Sequence, residues 1–376
     1  MRILFQKLQL IKMKLLVKLI MKFKIYEKYS DKGKYANCLM NGPIVFQTLR
    51  CGVTLGIFDE LDKKGGQTVD ELSASLNIHR RPLDICLRTL EYSSLVMKVD
   101  NHYYNHPLNT FMFLKKYDDI FTATTTLDYM HHVVEPACSF LEQSVINNEP
   151  YGLYNRYGKD ANFYAAISKD NNSIKYFDAF MKAVTNRNKD RVTSDSLFSR
   201  HHKVLDVGGS TGEIAVSLAL HHAALEVTVL DFPDVLQITL KKFDELGMEK
   251  RLKTYAGEPL KELPSGYDCI LFCHFFDIFS PETNRTLLKN AYHALPSGGA
   301  VGIFTPITHK HRNGVPDLWG PYFLCLAEGQ GKFYTQEDIV DWIKKENYTN
   351  VSVKELPFDE VFITAEKKMS RIGRIC

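Results

Sequence analysis

The chain has 376 residues, enough for two domains, with 45% hydrophobic and 24% charged residues, as in an ordinary globular protein. A formal net charge of +3 is too small to argue for a nucleic-acid partner, and much of the basic excess lies in the first 35 residues. The eight cysteines, of which Cys269 and Cys273 are closest, show neither metal-ligand spacing nor a disulfide framework; no metal and a reduced, cytoplasmic compartment are expected.

Residues 1–33 read as a basic, apolar extension. Lys7, Lys12, Lys14, Lys18, Lys22 and Lys24 interrupt its apolar residues, so no run reaches the ~18 residues of a membrane span. It also lacks the apolar core and cleavage site of a signal peptide. Lys7, Lys14, Lys18 and Lys22 share one helical face, which would suit an anionic membrane surface. A poorly ordered extension or a misassigned start are the plainer readings, and no stable membrane association is expected.

Residues 34–117 are expected to form a first domain. Phe46–Leu61 reads as one helix, with Val53, Ile57, Phe58 and Leu61 on its apolar face. Thr68, followed by Asp70 and Glu71, marks a helix start, and the segment runs on to a helix at Arg80–Leu90. Leu95–Val99 turns at Asp100-Asn101 and returns as His102–Tyr104, a hairpin. Helices and a hairpin in this order make a winged helix. Arg80, Arg81 and Arg88 could touch phosphates, but the low charge favours a dimerising role over DNA binding.

Residues 118–197 read as a helical linker, with helices at Phe121–Leu141, Phe163–Ile167 and Ile174–Val184. Such an aromatic stripe is more often core than pocket, but collectively these residues, Tyr129 and Phe177 among them, are the best candidates to wall an apolar substrate pocket.

The stretch Lys203–Gly212, K-V-L-D-V-G-G-S-T-G, organises the last domain, 198–376. A short buried strand turns on Gly208, Gly209 and Gly212 into a helix, a cradle for a nucleotide-like ligand. The phosphate-loop ending is missing, and Ser210 and Glu213 stand where the dinucleotide pattern needs glycines. A second strand, Glu226–Leu230, ends in Asp231, a carboxylate placed to accept ribose hydroxyls. Further strands are expected at 252–256, 267–273 and 299–305, and a closing pair at 351–356 and 359–366. The fold class expected is α/β: a mostly parallel, doubly wound sheet preceded by the helical winged-helix domain, with ligands at the carboxyl ends of the strands.

With these motifs in place, residues 34–368 resemble the S-adenosylmethionine (SAM)-dependent small-molecule O-methyltransferases of the caffeate, hydroxyindole and acetylserotonin type. The resemblance rests on V-L-D-V-G-G-S-T-G at 204–212, L-D-F-P at 230–233, A-G-E-P at 256–259, Y-D-C-I-L-F-C at 267–273, L-L-K-N-A-Y-H-A-L-P-S-G-G at 287–299 and G-K-F-Y-T at 331–335. It implies SAM as cofactor, with Asp206, Gly208, Gly209 and Gly212 around its methionine part. Asp231 would hold the ribose and Phe232 lie against the adenine. Glu258, with Pro259, takes the place of an adenine-binding Asp. Cys273 falls where many members have Lys, and Phe279 where an aromatic flanks the cofactor. Met181, in F-D-A-F-M, matches a Met at the boundary between cofactor and substrate.

The catalytic side departs from that pattern. An ungapped alignment sets Asp277, not His, at the base position, and His274 three residues earlier, one turn away if the corner is helical. Thr305 and Phe333 replace two supporting carboxylates. Asp277 and His274 are the candidate catalytic residues, with Asp277 alternatively capping the helix that opens at Pro281 and His274 alternatively packing behind the adenine. The resemblance implies a homodimer that methylates a hydroxyl of a small aromatic metabolite in secondary metabolism. A carbon or nitrogen acceptor, or a non-catalytic DNA-binding regulator, are the alternatives.

Overall fold

The computed structural model describes residues 30–327 and 330–369. The extension expected at residues 1–33, with its lysine face, lies outside the described residues up to residue 29. The described residues divide into two compact units, one ending at Leu127 and the other beginning at Asp128. Among them no helix is long and apolar enough to cross a membrane.

The first unit holds α1 (Ser30–Met40), α2 (Gly42–Thr54), α3 (Ile57–Lys64), α4 (Val69–Leu76) and α5 (Arg80–Tyr92), then the antiparallel hairpin β1 (Val96–Val99) and β2 (His102–Asn105). The single helix expected at Phe46–Leu61 is two, because Gly56 takes φ +73° and breaks it. Its apolar face is otherwise as spaced: Ile57, Phe58 and Leu61 are buried with Leu72, Leu83, Leu87, Leu90 and Tyr103. Thr68 starts α4 through a reciprocal cap, its hydroxyl accepting from Glu71 N (3.3 Å) and the Glu71 carboxylate accepting from Thr68 N (2.8 Å). The winged-helix arrangement is present. Two of its arginines are engaged locally, Arg80 with Asp70 (2.6 Å) and Arg88 with Asp84 (3.0 Å).

The second unit begins with short helical pieces. The continuous helix expected over Phe121–Leu141 is interrupted, by Thr122 at φ +54° and by a wide turn at Met130–Val134. Then come α6 (Phe163–Ile167) and α7 (Ile174–Thr193). α7 runs nine residues beyond the Val184 end expected from apolar spacing. Its polar C-terminal half is tied down instead, Thr193 Oγ1 lying 2.8 Å from Ser217 Oγ.

The sheet follows: β3 (Lys203–Val207), β4 (Glu226–Asp231), β5 (Leu252–Ala256), β6 (Cys269–Cys273), β7 (Ala300–Thr308), β8 (Tyr334–Thr335), β9 (Tyr348–Leu356) and β10 (Glu360–Lys367). Between them lie α8 (Glu213–His221), α9 (Pro233–Glu245), α10 (Pro281–Ala294) and α11 (Gln336–Lys345). The order is β5-β4-β3-β6-β7-β10-β9, with β8 beside β7; β10 runs antiparallel to both neighbours and the rest pair in parallel. β6 starts two residues later than expected, since Asp268 turns its carboxylate to the amides of His202 and Lys203. Both faces are covered, as a parallel sheet requires. Leu205, Val207, Ile270 and Phe272 pack on one side with Leu287, Leu288 and Trp342. Val204, Val227, Val229 and Leu271 pack on the other with Leu218, Phe198 and Phe362. The order reverses between β3 and β6, so the fold leaves its crevice there, beyond the carboxyl ends of the strands.

Candidate active site

A cavity of about 470 Å³ opens at that crevice. The turns after β3, β4, β5 and β6 line it, together with one face each of α6 and α7.

The turn after β3 is built on a close approach. Gly208 faces the Phe275 ring, and a Cβ on Gly209 would sit 2.5 Å from Asp206 Oδ2. Ser210 takes φ +47°, a left-handed conformation in a non-glycine residue. It is held there from both ends: its N–H donates to Asp231 Oδ2 (2.9 Å) and its carbonyl accepts from Thr239 Oγ1 (2.6 Å). Gly212 lies off the cavity wall and opens α8.

The carboxylates of this region are in unlike states. Asp231 accepts from Ser210 N and Phe232 N (2.8 Å), which fixes its plane and leaves lone pairs for a ligand. Burial raises its pKa and those two amides oppose the rise. Asp206 is fully buried, and among the described residues neither of its carboxylate oxygens has a hydrogen-bond partner. Burial, then the nearby Asp231 charge, pushes its pKa up to about 7. Such a group calls for a donor or a cation from a ligand. Phe232, Val235, Ile238, Pro259 and Leu260 supply an apolar slot nearby. Glu258 stands at its exposed lip, paired with Lys261 (2.8 Å).

The corner after β6 carries Cys273, His274, Asp277 and Phe279. Cys273 lines the cavity, its thiol pushed well up by burial and by Asp206. His274 also lines it, at φ +49°, its ring edge-on to Phe304 at 4.5 Å and Nε2 without a partner among the described residues. Burial, then Arg187, lowers its pKa to about 4. The single 3-10 turn here covers only Phe276–Ile278, so His274 is not one helical turn from Asp277. Asp277 is 8% exposed, and its Oδ1 has no partner among the described residues. Burial raises its pKa to about 6. It does not cap α10; Ser280 does, accepting from Thr283 N (3.2 Å). Burial thus inverts the order that the free side chains would have: the carboxylate is the stronger base here and the imidazole the weaker.

Met181, Phe177 and Phe279 are on the cavity wall, whereas Asp277 and Tyr129 are not. Tyr129 is a correction to the expected substrate wall. It lies in an aromatic cluster, stacked on Phe180 at 4.7 Å, with its hydroxyl donating to Tyr322 (3.0 Å). Sequence reading missed Asp178, Arg187 and Glu360. Glu360, on β10, accepts from Asn188 Nδ2 (2.6 Å), and burial, with a smaller contribution from Asp277, raises it to about 7. It brings a carboxylate near this corner while Thr305 and Phe333 carry none. No local motif marks it, because the strand that delivers it is antiparallel and remote in sequence.

A glycine turn at a strand end, a backbone-held acid at the next and unpartnered Asp206 between them fit SAM, and the fold is that of the class I SAM-dependent methyltransferases. The O-methyltransferase domain family matches residues 139–349, and the chain belongs to that family. It is similar to the L-tyrosine C(3)-methyltransferase of Streptomyces lavendulae, 26% identical over 324 residues, spanning 85% of this chain and 88% of the relative. It is also similar to the 3-hydroxy-5-methyl-1-naphthoate 3-O-methyltransferase of Streptomyces sahachiroi, 24% identical over 79% of this chain and 84% of that one. Among solved structures, the apo form of the S-adenosylmethionine-dependent methyltransferase SibL aligns with a TM-score of 0.73 at 28% identity, over 88% of this chain and 98% of SibL. The chain is therefore a SAM-dependent methyltransferase of small molecules.

Proposed function

We propose that the chain methylates a hydroxyl of a small phenolic metabolite, with Asp277 as general base. The observation that carries this is the buried Asp277 carboxylate, with one oxygen unpartnered among the described residues and a pKa raised to about 6. A base of that strength is ionised at neutral pH yet basic enough to relieve a phenol of its proton during reaction.

Asp231 would hold the ribose hydroxyls, Phe232 the adenine, and Asp206 with Gly208 and Gly209 the methionine part, Gly212 shaping the turn. Glu258 and Pro259 would border the adenine, and Cys273 and Phe279 the sulfonium side. Bound SAM supplies an activated methyl carbon. Met181 and Phe177 would orient the acceptor ring. Asp277, which adjoins the wall residue Ile278 without lining the cavity itself, would reach the hydroxyl by a small shift of this corner and take its proton as the oxygen–carbon bond forms and the methyl–sulfur bond breaks. Positioning of this kind supplies up to roughly 7–11 kcal/mol, and the base a further 10²–10⁴-fold or so. His274, neutral at physiological pH, would pack beside the cofactor.

A carbon acceptor ortho to the phenol is the second reading. The relative named for tyrosine C(3) methylation supports it; there the hydroxyl proton would leave as the carbon–carbon bond forms, and the ring carbon would then lose its own hydrogen as the hydroxyl is reprotonated. The experiment is to incubate the protein with methyl-labelled SAM and a panel of phenols, then locate the methyl by NMR. An O-methyl signal supports the first reading, a ring methyl the second, and no labelled product from any phenol contradicts both.

For the domains, we propose that residues 34–117 dimerise, that 118–197 frame the acceptor and that 198–376 bind SAM, with a cytoplasmic homodimer as the working form. Exposed Leu39, Met40 and Ile44 support the dimer; light scattering giving a monomer at micromolar concentration would sink it.

A further inference from the structure

The cavity contains a carboxylate that the cofactor reading leaves unused. Along α7, Ile174, Phe177, Asp178, Met181, Lys182 and Thr185 line it, the spacing of a single helical face. Asp178 lies in the middle of this face, next to Phe177 and one turn before Met181. Lys182 stands four residues on, where a lysine ordinarily pairs with a carboxylate. Its ammonium instead lies 3.4 Å from Glu213 Oε1. Lys175, on the preceding turn, sits over the Tyr176 ring at 4.8 Å. Among the described residues Asp178 has neither a hydrogen bond nor an ion pair. Burial alone raises its pKa, to about 6.

The other acids of the wall are answered. Glu213 pairs with Lys242 (2.6 Å), Asp234 with Lys169 (3.9 Å) and Glu258 with Lys261 (2.8 Å), while Asp231 takes two backbone amides. Asp206 and Asp178 remain. SAM brings one ammonium, at its methionine end, and Asp206 lies beside the turn assigned to that end. Asp178 lies on the helix that also carries Phe177 and Met181, the wall assigned to the acceptor. An unanswered carboxylate in a mostly apolar wall is costly unless a cation meets it.

We propose that Asp178 is a specificity residue that receives the ammonium group of the methyl acceptor, so that the preferred acceptor is a phenol carrying an amine. This rests on the reading of α7 as the acceptor wall.

The test is binding, without turnover. Tyramine and its neutral counterpart 4-ethylphenol are titrated calorimetrically into the protein loaded with S-adenosylhomocysteine (SAH). The wild type should bind tyramine at least tenfold more tightly, the loss expected when a charged hydrogen-bond partner is missing. In Asp178→Asn the two phenols should come within threefold of each other, with SAH affinity unchanged within threefold. Asp178→Glu should keep the preference, which guards against a merely structural effect. Equal binding of the two phenols by the wild type would overturn the proposal. So would an undiminished preference in Asp178→Asn, or a tenfold loss of SAH affinity with the preference kept, which would give the carboxylate to the cofactor's ammonium. Failure of the phenol-methylation reading looks different: tyramine would still bind in preference, and labelled SAM would give no methylated phenol.

Discussion

The two strand-end corners of the cavity are held together differently. At the ends of β3 and β4 the backbone does the holding, with Ser210 N and Phe232 N fixing Asp231. At the corner after β6, Asp277 Oδ1 and His274 Nε2 have no partner among the described residues, and burial is the largest cause of both pKa shifts, with Arg187 adding to it at His274. The first corner is a binding device whose geometry exists before any ligand arrives. On the proposed function the second is the reactive corner, whose groups would find their partner in the acceptor.

That contrast predicts separable losses. The largest belongs to the reactive corner: Asp277→Asn should lower kcat by about 10²–10⁴-fold while SAH affinity stays within about threefold. Steady-state kinetics at saturating SAM checks it. The pH profile sharpens it, since a base must be ionised to accept a proton. In the wild type kcat should fall as pH drops through about 6, the value to which burial raises Asp277. That limb should vanish in Asp277→Asn. A limb near pH 4 would instead point to His274.

At the binding corner, Asp231→Ala should weaken SAH binding by about tenfold or more, from charged hydrogen bonds worth roughly 1.5–3 kcal/mol. A smaller effect is expected from Gly209→Ala. Its Cβ would meet Asp206 Oδ2 at 2.5 Å and Val229 Cγ1 at 3.1 Å. Overpacking of that kind costs about 1–3 kcal/mol, visible as a lower Tm and weaker SAH binding.

The smallest effect is on stability against pH. Burial raises Asp206 and Glu360 to about 7 and Asp178 and Asp277 to about 6. The native state therefore keeps protons that the unfolded chain releases, and its stability falls as pH rises from about 5 to 7. His274, lowered to about 4, acts with the opposite sign, gaining stability as pH rises towards its unfolded value of about 6.5. Four acids outweigh one imidazole, so the Tm of the ligand-free protein should decline between pH 5 and 7. SAM should flatten the decline by bringing cationic groups to Asp206. A ligand-free Tm that climbs over this range would contradict the assignment of these groups.

The sequence showed what repeats locally. The buried runs of β3 and β4, the edge strand β5 and the Asp231 tip stand where their patterns put them. The break at Gly56 was hidden because the apolar spacing continues on both sides of it. The second half of α7, polar in sequence, is helical because it docks on α8. Tyr129 belongs to an aromatic stripe that spacing alone reads more readily as core than as wall, and packing against Phe180 and Tyr322 places it in the core. The proton-accepting order of Asp277 and His274 was illegible for the same reason: burial is a property of the whole unit, and spacing does not encode it.

The most direct measurement is a calorimetric titration of SAH into wild type, Asp231→Ala and Asp277→Asn side by side, since it needs no knowledge of the acceptor. The wild type should bind, Asp231→Ala should bind at least tenfold more weakly, and Asp277→Asn should match the wild type. Equal affinity in the wild type and Asp231→Ala, with both folded, would contradict the account of a cofactor site at the ends of β3 and β4.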